Sequence, residues 1–405
     1  MFIDITPLRN NRDFRLLFAG QLISFLGSMV SYMAVPYQVY QLTQSNAMVG
    51  ALGLAQFGPV VVFGLLGGAY ADRINRRRLM LVCESLMAFL LLLLLANSLL
   101  PQPSLVAIFV LVAALQGVAG FHTPAMEALT QKLVTPTEYA AVGALASFRF
   151  STGAIAGPLL GGVLIALFGL QGAYLFDLLS FTGAVICIAL MRKTPDPETT
   201  PHSPLADAAI GFKFALSKPE LVGTYFIDIA AMLFAFPVAL FPAIAAQWGD
   251  ARMVGLLFSS MAIGALLATL FSGWSGRVQR QGRMVVIAAV LWGLFVVAAG
   301  LVSTPWLLVL FLILAGAADM VSALFRGIIW NYSVPNAMRG RLAGIAMISY
   351  MSGPLLGNTR AGWVAAKSSV TFSLWSGGLA CVLAVFMTSL LLPKFWAYRA
   401  SQDAG

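Results

Sequence analysis

Asp319 is the residue of greatest chemical interest in this sequence. It stands about 13 residues into an apolar run at 306–332, and Arg326 follows seven residues later, two helical turns along the same face. A charge at the middle of a bilayer costs about 2.5–3.5 kcal/mol on insertion scales, so an acid and a base at this position call for an explanation. A carboxylate kept away from water can bind and release a proton during a working cycle, which makes Asp319 the first candidate for a protonatable coupling residue. The alternative is a static ion pair, with Arg326 or with a neighbouring helix. His122, near Gln116 in the run 104–129, has a side chain suited to proton relay. A single imidazole among apolar neighbours also packs well in a purely structural role. Arg149 either attracts an anionic substrate or pairs with Asp177, and Arg360, near the end of its run, reads as a side chain that snorkels to the interface.

The elements that must hold such groups follow from composition. The chain has 405 residues, 60% hydrophobic and 10% charged, whereas an average soluble protein is roughly 25% charged. Soluble domains of this total length would lack a polar exterior, which excludes a soluble enzyme, a disordered chain and a nucleic-acid-binding domain. Twelve apolar runs are long enough to cross about 30 Å of hydrocarbon as helix. They lie at 14–40, 47–71, 79–100, 104–129, 140–168, 172–191, 221–246, 253–275, 284–302, 306–332, 342–366 and 371–392. Helix is the physical choice because a lone span must satisfy its own backbone hydrogen bonds in lipid, and the period-two alternation of a membrane barrel is absent.

Nineteen of the 24 lysines and arginines fall on the side of the N-terminus, two (Arg252 and Lys367) on the other, and three (Arg149, Arg326, Arg360) inside runs. This asymmetry predicts both termini in the cytoplasm and accounts for the net charge of +9 without nucleic acid. No short apolar region with a small-residue cleavage site opens the chain, so no removable signal peptide is expected. Cys83, Cys187 and Cys381 lie far apart in apolar runs, which favours neither a disulfide framework nor a thiolate metal site. No lysine follows a glycine, so the phosphate-cradling loop of ATP motors is missing, and two histidines cannot make the His-Glu-x-x-His zinc motif. No enzyme activity and no cofactor are expected.

A hydrophilic stretch at 192–219, with Pro195, Pro197, Pro201 and Pro204, reads as a semi-rigid cytoplasmic linker. It separates an N-terminal six-helix bundle, 1–191, from a C-terminal one, 220–405. Two words recur across it. Met48-Val49-Gly50 returns as Met253-Val254-Gly255, and Gly157-Pro158-Leu159-Leu160-Gly161 returns as Gly353-Pro354-Leu355-Leu356-Gly357. The similar offsets predict a six-plus-six duplication, and transporters built this way bind substrate near midplane between halves that rock about it.

The turn after the second run reads Gly68-Ala69-Tyr70-Ala71-Asp72-Arg73-Ile74-Asn75-Arg76-Arg77-Arg78. In the fifth run Gly153, Gly157, Pro158, Gly161 and Gly162 place small residues four apart, a spacing that permits close helix packing. Three further words are Phe14-Arg15-Leu16-Leu17-Phe18-Ala19-Gly20-Gln21, Phe176-Asp177-Leu178-Leu179-Ser180-Phe181 and Val334-Pro335-Asn336-Ala337-Met338-Arg339-Gly340-Arg341. Together they resemble the major facilitator superfamily, in the branch that contains the enterobactin exporter and the transmembrane secretion effectors. The turn is similar to that superfamily's loop signature Gly-x-x-x-Asp-Arg-x-Gly-Arg-Arg/Lys, with Asn75 for the second glycine, a residue that tolerates left-handed backbone. The glycines look like the fifth-helix motif of its exporters, especially drug:proton antiporters.

The resemblance implies that the first, fourth, seventh and tenth spans line a cavity, which places Asp228 with Asp319 and Arg326 on the pathway for substrate and protons, where Arg149 and His122 are further candidates. It implies that Gly68, Asp72, Arg73, Arg76 and Arg77 form a conformational switch with Glu84 and Glu127 as partners, and that Asp177, on a peripheral span, is structural. A solvated loop that only sets topology, and ordinary small-residue packing, are the plainer readings of the two motifs. The second-half turn has Arg277 where the aspartate would stand, so the lock would be one-sided. The expected protein is an all-α, twelve-helix secondary transporter of the bacterial inner membrane with two pseudo-repeated six-helix bundles. It would expel a small amphipathic molecule, a siderophore such as enterobactin or a drug, by alternating access. Its partners would be that substrate, protons supplied by the gradient, and lipid; it would act as a monomer and bind no nucleic acid. An importer of the same fold, and a non-transporting scaffold or sensor, are the rival expectations; interior charges argue against the latter.

Overall fold

The computed structural model describes residues 3–71, 74–192, 204–335 and 338–399. Among these residues twelve long helices fall on the twelve apolar runs. They are α1 (Arg12–Thr43), α2 (Asn46–Ala71), α3 (Arg76–Ser98), α4 (Leu105–Leu133), α5 and α6 (139–168 and 170–189 of the stretch Tyr139–Ala189), α7 (Pro219–Ala235, resumed as Phe241–Ala246), α8 (Ala251–Leu270), α9 (Gln281–Leu301), α10 (Pro305–Ser333), α11 (Arg339–Lys367) and α12 (Val370–Leu391). Local chemistry sets their ends. Asn75, Ser104 and Ser369 accept the N–H groups of Arg78, Ala107 and Phe372 at 3.2, 3.3 and 3.0 Å, capping α3, α4 and α12. Pro219 and Pro305 sit in the first turns of α7 and α10, where a missing N–H costs nothing. Gly169 divides α5 from α6 at φ 69°, ψ −175°, backbone that side chains with a Cβ avoid.

The chain forms two compact units. One holds Met1–Leu42, Gly58–Pro204 and Trp248–Ser259; the other holds Thr43–Phe57, Leu205–Gln247 and Ser260–Gly405. They depart from the expected halves at the starts of α2 and α8, each of which joins the unit of the opposite half. The repeated words explain the exchange. In the first unit Gly255 of α8 lies against the main chain of Pro158 in α5, and a Cβ on Gly162 would come within 3.1 Å of the Arg252 Cα. In the second unit Gly53 of α2 lies against the main chain of Leu355 in α11, and Thr359 Oγ1 donates to the Gly50 carbonyl at 3.0 Å. So the Met-Val-Gly copy on α8 meets the first Gly-Pro-Leu-Leu-Gly copy, while the other Met-Val-Gly, on α2, meets the second. Lipid gives helices no hydrophobic reason to associate, so close backbone approach through small residues carries the packing.

The same words dock a second pair of helices in each unit. Gly153, Gly157 and Gly161 of α5 face Phe25, Met29 and Met33 of α1, while Gly353 and Gly357 of α11 face Met232 and Phe236 of α7. The glycine-lined face of α5 thus seats α1, and its neighbouring face, through Pro158 and Gly162, seats α8.

Within the stretch expected to be a linker, Pro204–Ser217 is helical. Ala215 and Phe214 pack with Leu221 of α7, Val334 and Leu342. Between Pro204 and Pro219 the stretch holds no proline, and its residues are apolar enough to bury a helix face; residues 193–203 lie outside the described set.

Candidate functional site

In the second unit α7 and α10 bring three charges together. Arg326 donates through Nη1 to Asp228 Oδ1, and its Nη2 stands 3.8 Å from Asp319 Oδ1. The side chains are 17%, 11% and 35% exposed in the order Arg326, Asp228, Asp319. One planar guanidinium therefore serves two carboxylates, one bonded directly and one held more loosely. The looser one, Asp319, also has the most exposed side chain of the three.

Just beyond Asp228, α7 breaks at Phe236 and Pro237. Lipid cannot satisfy the freed backbone groups, so protein must. Arg360 of α11 donates through Nη1 to the Phe234 carbonyl at 2.6 Å and through Nη2 to the Ser373 carbonyl at 3.2 Å. Asn358 Oδ1 accepts the Ala239 N–H at 2.9 Å, where the chain resumes. Arg360 was expected to snorkel; instead its fork is spent on the broken helix.

In the first unit Glu84 of α3 is fully buried. Its Oε1 accepts from Gln21 Nε2 at 2.6 Å and lies 2.8 Å from His122 Nε2. Gln21 drew no notice in the sequence as a functional group, because one amide in an apolar run carries no signal until its partner is known. Asp177 of α6 bonds Ser31 and Ser180, so the expected alternative of an Arg149–Asp177 pair is not formed. Arg149 turns the other way: Nη1 lies 2.9 Å from Met126 Sδ, and its guanidinium carbon sits 5.8 Å from the Phe25 ring centre. Among the described residues no three His, Cys, Asp or Glu side chains converge as a metal site requires.

With that geometry in place, the comparisons with known proteins are decisive for family. The sequence matches the transmembrane secretion effector family over residues 4–403. The chain belongs to this family of major facilitator transporters. Among curated relatives, the enterobactin exporter of Citrobacter koseri is 28% identical over 401 residues, 98% of this chain and 96% of its own. The enterobactin exporter of Shigella flexneri is 27% identical with the same coverage. Among solved structures, a bacterial homologue of the human lysosomal transporter Spinster aligns with TM-score 0.73 at 14% identity, covering 96% of this chain and 98% of its own. A bacterial homologue of the iron transporter ferroportin aligns with TM-score 0.70 at 15% identity, covering 96% and 99%. At these identities the structures speak for the fold, which is the major facilitator fold of twelve helices.

In this transporter family member the turn after α2 is visible in part. Asp72 and Arg73 lie outside the described residues, and Gly68 is in the last turns of α2. Asn75, which stands where the loop signature has its second glycine, has φ −56° and serves as the N-cap of α3. Arg77 donates from Nε to the Ile188 carbonyl at 3.0 Å and from Nη2 to the Ala189 carbonyl at 2.7 Å, capping the end of α6. Arg76 is partly buried in the first turn of α3, and Glu127 is exposed. Among the described residues, Glu84, expected as a partner of this turn, is engaged by Gln21 and His122.

Proposed function

We propose that this protein is a proton-driven exporter of an enterobactin-like siderophore, working by alternating access in the bacterial inner membrane. The observation that carries the reading is the Asp228–Arg326–Asp319 group. Fully ionised it holds one net negative charge, and a single proton on Asp319 cancels that charge. A site that alternates between these two states inside the membrane is what exchange of a proton against a substrate needs. The cargo is suggested by the full-length likeness to exporters of enterobactin. Arg149, beside the Phe25 ring, adds a cation with an aromatic face for an anionic, ring-bearing compound.

Around this centre the proton gradient supplies the energy, no cofactor takes part, and a single chain suffices. The excess of basic residues in one set of connections supports cytoplasmic termini. Asp72, Arg73 and Arg76 act there as a switch between states, with Glu127 on the same side, and the glycine face of α5 keeps the helices tight against leak. Secretion tests the whole reading. In Escherichia coli deprived of its own enterobactin exporter, expression of this chain restores the siderophore to the medium and lowers its level in the cells. Unchanged secretion by a chain correctly inserted in the membrane would contradict the proposal.

A further inference from the structure

Glu84 is the most deeply buried carboxylate of the first unit that bonds a titratable side chain, and the proposed function leaves it without a task. No part of its side chain is exposed, whereas that of His122 is 14% exposed. Its Oε1 carries both bonds, from Gln21 and with His122, while the equally buried Oε2 takes no hydrogen bond from protein. A carboxylate sealed from water with half its acceptor capacity unused is a costly arrangement for a purely structural residue. The other titratable groups around it are few. Asp177 on α6 is occupied by Ser31 and Ser180. Cys83 is its neighbour on α3, and Cys187 of α6 borders Gly20, next to Gln21. Among the described residues, His122 on α4 is the base in contact with it.

We propose that Gln21, Glu84 and His122 form a second proton-binding site, in the first unit and separate from the Asp228–Arg326–Asp319 group. The imidazole is the member of the pair with exposed surface, through which a proton can enter. It takes a proton at one ring nitrogen and passes the one on Nε2 to Glu84 Oε1, leaving a neutral imidazole beside a neutral carboxylic acid; release is the reverse. Charge and protons balance at each step, and Oε2 offers the carboxyl a second place to hold its proton. Gln21 fixes the carboxyl orientation through the bond to Oε1 in either state. The role of this site in driving transport rests on the function proposed above; its existence does not.

The test separates the two. Purified protein labelled with ¹⁵N-histidine is followed by NMR from roughly pH 5 to 8, with His202→Gln identifying the second histidine. The site requires a His122 resonance that titrates and whose midpoint moves in Glu84→Gln. A His122 resonance indifferent to Glu84→Gln would overturn it. If Glu84→Gln does not fold, Glu84→Asp and Gln21→Ala take its place: the site requires the His122 midpoint to move in each, and a midpoint unmoved in both folded variants would overturn it. A titrating, Glu84-dependent His122 in a protein whose wild type ignores the gradient would uphold the site and sink the proton-driven function instead.

Discussion

Arg326 reaches from α10 to bond Asp228 on α7, leaving its second nitrogen to Asp319 at 3.8 Å. The two aspartates therefore answer differently to loss of charge. Asp228→Asn removes the directly bonded carboxylate and leaves the mostly buried guanidinium only the looser Asp319, a loss of about 1.5–3 kcal/mol. Asp319→Asn leaves the bonded pair intact. Thermal unfolding in detergent checks this: the first variant melts well below wild type and the second close to it. Equal shifts would mean that Asp319, too, is a structural partner.

The glycine docking predicts a sharp contrast between two positions. A Cβ at Gly255 runs into the Pro158 carbonyl, while a Cβ at Gly58 meets nothing within 4 Å. Gly255→Val should abolish monodisperse protein in size-exclusion profiles. Gly58→Ala should preserve it and raise the melting temperature slightly, since alanine is favoured over glycine in helices by up to about 1 kcal/mol.

Arg360 holds the break in α7, so Arg360→Ala leaves the Phe234 carbonyl without its donor at a cost of about 1–3 kcal/mol. Arg360→Lys recovers little, because an ammonium on a flexible stem does not reproduce a planar fork that spans acceptors on α7 and α12. Melting temperatures of the two variants, measured side by side, check both statements. A lysine variant as stable as wild type would contradict the fork argument.

Orientation is tested by labelling. In a chain with Cys83, Cys187 and Cys381 replaced, a cysteine at Gln102 should react with an impermeant maleimide added to intact cells. One at Arg78 should react only after the cells are opened. The opposite pattern would invert the membrane orientation proposed here.

The twelve spans were legible because each is a long apolar run with at most two charges inside it, and the duplication was legible because its words do the packing. Even the division of α5 from α6 fell near Gly169. Other features were out of reach for a physical reason. The bond between Gln21 and Glu84 joins residues 63 apart, and His122 comes from a third helix. Each is an ordinary residue until the helices meet. Asp319 and Arg326 stood out because their spacing on one helix is visible in the sequence; the ion pair between Arg326 and Asp228, 98 residues apart, was not. The break in α7 left only Pro237 and Pro242 as its trace, and five other prolines, Pro36, Pro59, Pro124, Pro158 and Pro354, lie inside helices that run through them. Pairing Arg149 with Asp177 was reasonable on charge, but it overlooked that Ser31 and Ser180 already satisfy the carboxyl.

Flux through proteoliposomes holding only this protein tests the central claim most directly. With the lumen acidified relative to the bath, and the chain inserted so that its termini face the bath, enterobactin should accumulate inside. Collapse of the gradient should stop the accumulation, and folded Asp319→Asn should not respond to the gradient. Uptake that is equal with and without the gradient, or a full response from Asp319→Asn, would contradict the account.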